Sequence, residues 1–185
     1  MASLVLLVLL ACKGAEPLPE LGPVPEFALT NHQGQPFGTQ QLRGKVWIGN
    51  FIFTRCPDIC PMFTQRMREV HDEVAPTDAP LVFVSFSVDP DFDTPQVLNN
   101  YAKEQGALSD RWHFLTGSTD AVKAVVVQGL KMAMDKQPLP DAPQNVLHGS
   151  HFVLVDSDLQ LRGYYSAKDP EKRKQLIVDA KSLVK

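Results

Sequence analysis

An abrupt change of hydrophobic period around Cys56 constrains the fold more than any other feature of this chain. Lys45 to Phe53 is an apolar run rich in β-formers, the pattern of a strand covered on both faces. Directly after Cys56-Pro57-Asp58-Ile59-Cys60-Pro61, residues Phe63, Met67, Val70 and Val74 recur at helical spacing on one face. A buried strand that feeds an amphipathic helix opens a βα unit, and the chain then repeats it. Leu81 to Val88 reads as a second buried strand. Asp93-Thr94-Pro95 opens a helix to about Glu104, with proline at the first helical position where its missing N–H costs nothing. Trp112 to Leu115 is a third strand, and Ser118-Thr119-Asp120 caps a helix expected to reach about Met134.

The ends of the pattern differ. Glu26 to Leu29 is a short strand entering a turn at Asn31 to Gly34, and a Pro-rich loop holds Pro138, Pro140 and Pro143. His151 to Asp156 and Gln160 to Tyr165 form a hairpin across Ser157-Asp158, and Pro170 starts a last helix. Alternating βα units imply a mostly parallel sheet, to which the hairpin adds antiparallel strands. The expectation is an α/β, thioredoxin-like fold: a central mixed sheet with flanking helices and a C-terminal β-hairpin.

Leu4 to Ala11 is an unbroken apolar run, too short to span a bilayer but of signal-peptide length. Leu9-Leu10-Ala11-Cys12 resembles a bacterial lipobox, which makes Cys12 the expected lipid anchor. Residues 1–12 therefore read as the signal peptide and lipobox, 13–25 as a Pro-rich tether, and 26–185 as the folded domain. The implied location is the bacterial envelope, on the periplasmic side of a membrane. The 185 residues carry a formal net charge of -3 with no basic stripe, so a nucleic-acid partner has no electrostatic support. Lys172, Arg173 and Lys174 sit beside Glu171 and read as a solvated helix face.

With Cys12 lipidated, Cys56 and Cys60 remain. A bridge between residues so close would remove little chain entropy, so the pair suits redox chemistry or metal binding better than a structural disulfide. Cys60 is expected in the first helical turn, where the macrodipole and free N–H groups favour a thiolate, with the charge of Arg55 nearby. Three intervening residues leave room for an ion between the sulfurs. His148 ends the Pro-rich loop just before a strand and supplies a third donor, and two sulfurs with one imidazole favour copper, Cu(I) in particular. Met62 is a weak further soft donor. Met67 and Trp112 read as core, and His32, His71 and His113 as ordinary surface or hydrogen-bonded histidines. Asp89 and Asp93 either orient the cysteine loop or a partner, or, for Asp93, cap a helix.

The chain resembles the Sco/SenC family of copper proteins that assist cytochrome c oxidase assembly. The resemblance rests on Cys56-Pro57-Asp58-Ile59-Cys60-Pro61, Ser87-Val88-Asp89-Pro90 with Asp93-Thr94-Pro95, Trp112-His113-Phe114-Leu115-Thr116-Gly117, and His148 ahead of Phe152-Val153-Leu154-Val155-Asp156. It implies one copper held by Cys56, Cys60 and His148, with His148 preferred over the nearby His151. It also implies delivery of copper to oxidase subunit II, or reduction of that subunit's cysteines. Keeping both thiols reduced in an oxidising compartment calls for a thiol reductase partner. The rivals are a thiol–disulfide oxidoreductase that carries no copper and, on Phe53-Thr54 before Cys56-Pro57, a peroxiredoxin. For the latter Thr54 stands one residue too close to the cysteine.

Overall fold

The computed structural model describes residues 17–56, 59–74, 80–132, 134–137, 145–147 and 150–184. A seven-stranded mixed sheet forms the centre. Its parallel heart is β3 (Val46–Ile52), β4 (Leu81–Ser87) and β5 (Trp112–Thr116). On one flank β1 (Ala28–Asn31) pairs antiparallel with β5 and carries β2 (Pro36–Gly38). On the other, β8 (His151–Val155) pairs antiparallel with β3 and carries β9 (Leu161–Ser166), giving the order β2-β1-β5-β4-β3-β8-β9. Every residue of β3 and β4 is buried, including the polar Asn50, Ser85 and Ser87 that interrupt their mostly apolar sequences. Gly49 in β3 has a packing reason: a Cβ there would stand 2.8 Å from Val153 Cγ2, so glycine lets β8 close on β3.

Alternation along the strands splits the interior into two apolar layers. Ile48, Ile52, Leu81 and Phe83 face one side, where α2 (Ile59–Val74), α3 (Pro95–Glu104) and α5 (Pro170–Leu183) cover them. The predicted stripe Phe63, Met67, Val70 and Val74 is the buried face of α2. Trp47, Phe51, Val84 and Phe86 face the other side, against the short α1 (Thr39–Leu42) and α4 (Thr119–Lys123). A buried polar ladder crosses the first layer: Trp112 Nε1 donates to Ser85 Oγ at 2.9 Å, and Ser85 Oγ donates to Asn50 Oδ1 at 2.6 Å. Trp112 is core, as expected.

Several elements depart from the sequence reading. The helix after Ser118 does not reach Met134. It passes from α4 into π-helical turns over Ala124–Gly129, and Lys131 then adopts a positive φ of 54° that ends it. The Pro-rich region contains two short antiparallel strands, β6 (Asp135–Gln137) and β7 (Asn145–Leu147). No periodicity announces strands this short. The described part of the Pro-rich N-terminal segment is extended but laid against the hairpin: Leu21 N donates to Leu161 O, Leu161 N to Gly22 O, and Val24 N to Leu159 O. Arg162 secures it, pairing with Asp156 at 2.9 Å and donating to Leu18 O at 2.5 Å. Among the described residues no helix is long and apolar enough to cross a membrane. The proposed anchor Cys12 lies outside them.

Candidate functional site

The parallel strands deliver the site. β3 ends at Ile52, and a tight turn, in which Cys56 N donates to Phe53 O at 3.3 Å, brings Cys56 to the start of α2. Cys60 sits in the first turn of that helix, as the sequence indicated. Ligand sites of open α/β sheets lie at this carboxyl end of the strands. Cys56 is 7% exposed and Cys60 fully buried, and both are reduced.

The electrostatics differ from expectation at Cys60. Cys60 does not hold the stabilised thiolate that its helical position implied. Burial pushes its thiol well above the usual range, and a backbone hydrogen bond from Phe53 opposes this only in part, while Cys56 and the charge of Asp93 add to the rise. One N–H of the helix N-terminus is taken by the other sulfur: Cys60 N donates to Cys56 Sγ at 3.3 Å. Arg55 stands in the turn directly before Cys56. Its guanidinium pairs with Asp89 at 2.5 Å and lies over the Phe92 ring, 4.2 Å from the centroid.

The two aspartates singled out in the sequence both reach the chain just before Cys56. Asp93 accepts from Thr54 Oγ1 at 2.5 Å, from Thr54 N at 3.2 Å and from Ser87 Oγ at 2.6 Å. It does not cap α3. Thr94 does, accepting from Val97 N at 3.3 Å. Thr54 and Ser87 are the site residues that sequence reasoning missed. A signal existed in the polar character of Ser87-Val88-Asp89 at the end of an otherwise apolar buried strand.

The remaining sequence candidates separate clearly. His151 is exposed at the start of β8, Met62 is partly buried against the layer under α2, and Met67 is wholly buried there. His148 lies outside the described residues, and among those described no group of three His, Cys, Asp or Glu side chains is placed to hold a metal ion. His71 is partly buried, its ring packed on Phe83 and Trp112 at centroid distances of 5.0 and 5.7 Å and its Nε2 within 3.1 Å of Ser109 Oγ. His32 is buried and its Nδ1 accepts from Phe114 N at 3.3 Å.

His113 stacks on Phe37 at 4.1 Å, and its buried Nδ1 has no hydrogen-bond partner among the described residues. Burial first, then the nearby His32 and Lys45, hold its pKa down at about 4 against an ordinary 6.5, with Asp110 opposing. The unfolded chain therefore takes up this proton first. Stability from a neutral His113 is complete above pH 6.5 and is lost as pH falls toward about 4. The urea midpoint is expected to drop across that window, and to drop less in His113→Phe. Equal slopes in the two proteins would refute the assignment.

The SCO1/SenC family model matches residues 19–185. A SCO1/SenC family lipoprotein from Bacillus anthracis superimposes with a TM-score of 0.80 at 32% identity, over 91% of this chain and 98% of that one. BsSco, a member of the Sco family of cytochrome c oxidase assembly proteins in which a disulfide switch was identified, gives 0.78 at 32% identity, over 90% and 96%. Copper-bound ScoI from Arabidopsis thaliana gives 0.75 at 25% identity, over 87% and 99%. The match runs through the cysteine segment, the aspartate-bearing loop and the hairpin alike, and the chain belongs to the SCO1/SenC family.

Proposed function

We propose that this protein carries one copper ion, as cargo, between Cys56, Cys60 and His148 for assembly of the copper site of cytochrome c oxidase. The observation that carries the reading is the strand register at the cysteine end of the sheet. β8 runs antiparallel to β3 with Val153 opposite Gly49, so the chain entering β8 at His151 arrives beside the end of β3 that leads to Cys56. That register supports residue 148 as a donor from the same end. Two thiolates and an imidazole make a soft, low-coordinate set that suits Cu(I). Binding displaces the thiol protons, and the arriving cation supplies the charge that lets buried Cys60 release its own.

The partner set follows from this chemistry. The acceptor is oxidase subunit II, and a thiol reductase keeps Cys56 and Cys60 open in an oxidising envelope. Lipid on Cys12 holds the protein at the membrane. The alternative is a copper-free thiol–disulfide reductant of the oxidase cysteines, favoured by the placement of one thiol just ahead of α2 and the other in its first turn, with Cys60 N donating to Cys56 Sγ. His148→Ala separates the two readings. We expect it to abolish stoichiometric Cu(I) binding by the reduced chain while sparing thiol–disulfide exchange. Copper content of the reduced variant after desalting is the measurement, and full retention of copper would sink the three-donor site.

A further inference from the structure

The loop that joins β4 to α3 grips the chain on two successive residues immediately before Cys56. Asp89, 1% exposed, takes Arg55, and Asp93, fully buried, takes both the backbone and the side chain of Thr54. Ser87 completes the grip: its hydroxyl donates to Asp93, and it accepts from Asp89 N at 3.1 Å. A buried carboxylate is costly unless hydrogen-bond donors surround it, and here the donors come from the ends of two strands rather than from the helix that follows. Capping does not explain Asp93, since Thr94 performs it. What the carboxylate does hold is the turn Phe53 to Cys56, through a residue only two positions from the sulfur.

We propose that Asp93 is a positioning residue that acts through Thr54 to fix where Cys56 stands relative to Cys60, so that the β4–α3 loop sets the balance between the open dithiol and the closed disulfide. The proposal rests on the reading of Cys56 and Cys60 as the working pair. In the reduced structure the grip is fully made, and Cys56 Sγ takes the N–H of Cys60 at 3.3 Å. Closing the pair demands a sulfur–sulfur bond of about 2.05 Å, which requires one of the two to move. A turn pinned at Thr54 resists that movement. Releasing it favours closure.

The test is a redox equilibrium in the full chain carrying Cys12→Ala, so that only the pair is counted. The protein is equilibrated with mixtures of glutathione and glutathione disulfide, and remaining thiols are trapped by alkylation. In the reaction read, Cys56 and Cys60 lose two electrons and two protons to form their disulfide, and one glutathione disulfide becomes two glutathione thiols. Thr54→Val removes the hydroxyl donor with little change of shape, and Thr54→Ser restores it. The expected result is a shift of the equilibrium constant toward the disulfide by at least about fivefold in Thr54→Val, with return to the wild-type value in Thr54→Ser. A Thr54→Val curve that overlies wild type, or moves toward the dithiol, overturns the proposal, as does a loss of urea stability with no redox shift. The readout needs no metal, so a wild-type chain that bound no copper would overturn the copper reading alone.

Discussion

Cys56→Ala is expected to lower the Cu(I) affinity of the reduced chain by at least about a thousandfold, because it removes one of two thiolates from a three-donor set. The position makes the result interpretable. Cys56 is buried but keeps 7% of its surface exposed in the turn ahead of α2, whereas Cys60 is fully enclosed within the helix's first turn and its loss disturbs packing more. A competition titration against a Cu(I) chelator reads the affinity, and a urea titration confirms that the fold is kept. An affinity within about tenfold of wild type would show that copper is not held by this sulfur, and would return the pair to pure thiol exchange.

The largest loss of stability is expected at Phe86, in the middle of the parallel strands. Its side chain is fully buried, with the rings of Phe27, Phe51 and Trp47 at centroid distances of 5.8, 6.0 and 6.1 Å. Phe86→Ala empties the centre of the layer beneath α1 and α4. Truncations of this kind cost about 3–5 kcal/mol, which for a chain of this length lowers the melting temperature by about 10 °C. A loss below about 1 kcal/mol would mean that the layer collapses to fill the space. Phe86 belongs to a strand whose two faces feed different layers, so the neighbouring Phe83→Ala probes the opposite side independently.

Much of this architecture was legible because the central strands are buried on both faces and the covering helices on one. Lys45 to Phe53 read as an apolar run, Leu81 to Val88 as a second buried strand, and Phe63 to Val74 as a stripe. Thr94 with Pro95, and Pro170, announced two helix starts, and in the structure Asp169 caps α5 by accepting from Glu171 N at 2.9 Å. Illegible features depend on contacts between residues distant in sequence. β2, β6 and β7 are each three residues long, too short to show a period, and exist because a neighbour pairs with them. The site divides in the same way. Cys56 and Cys60 declare themselves by spacing alone, but nothing local says that Asp93 would spend its carboxylate on Thr54, thirty-nine residues earlier, rather than on its own helix. Likewise the first-turn position of Cys60 suggested an acidic thiol, while its burial, a property of the whole fold, reversed the direction.

Residues 21–24 lie beside the β8–β9 turn, and Leu18 is held further along β9 at Arg162. That turn lies at the start of β3, where Gly44 N donates to Ser157 O at 3.0 Å, and the sulfurs stand at the other end of the same strand. Five residues on from Cys12 stands Pro17, and a fully stretched chain of that length reaches about 17 Å. With lipid on Cys12, as proposed, the body stays within that reach of the bilayer. Its search for an acceptor then runs across a surface rather than through a volume.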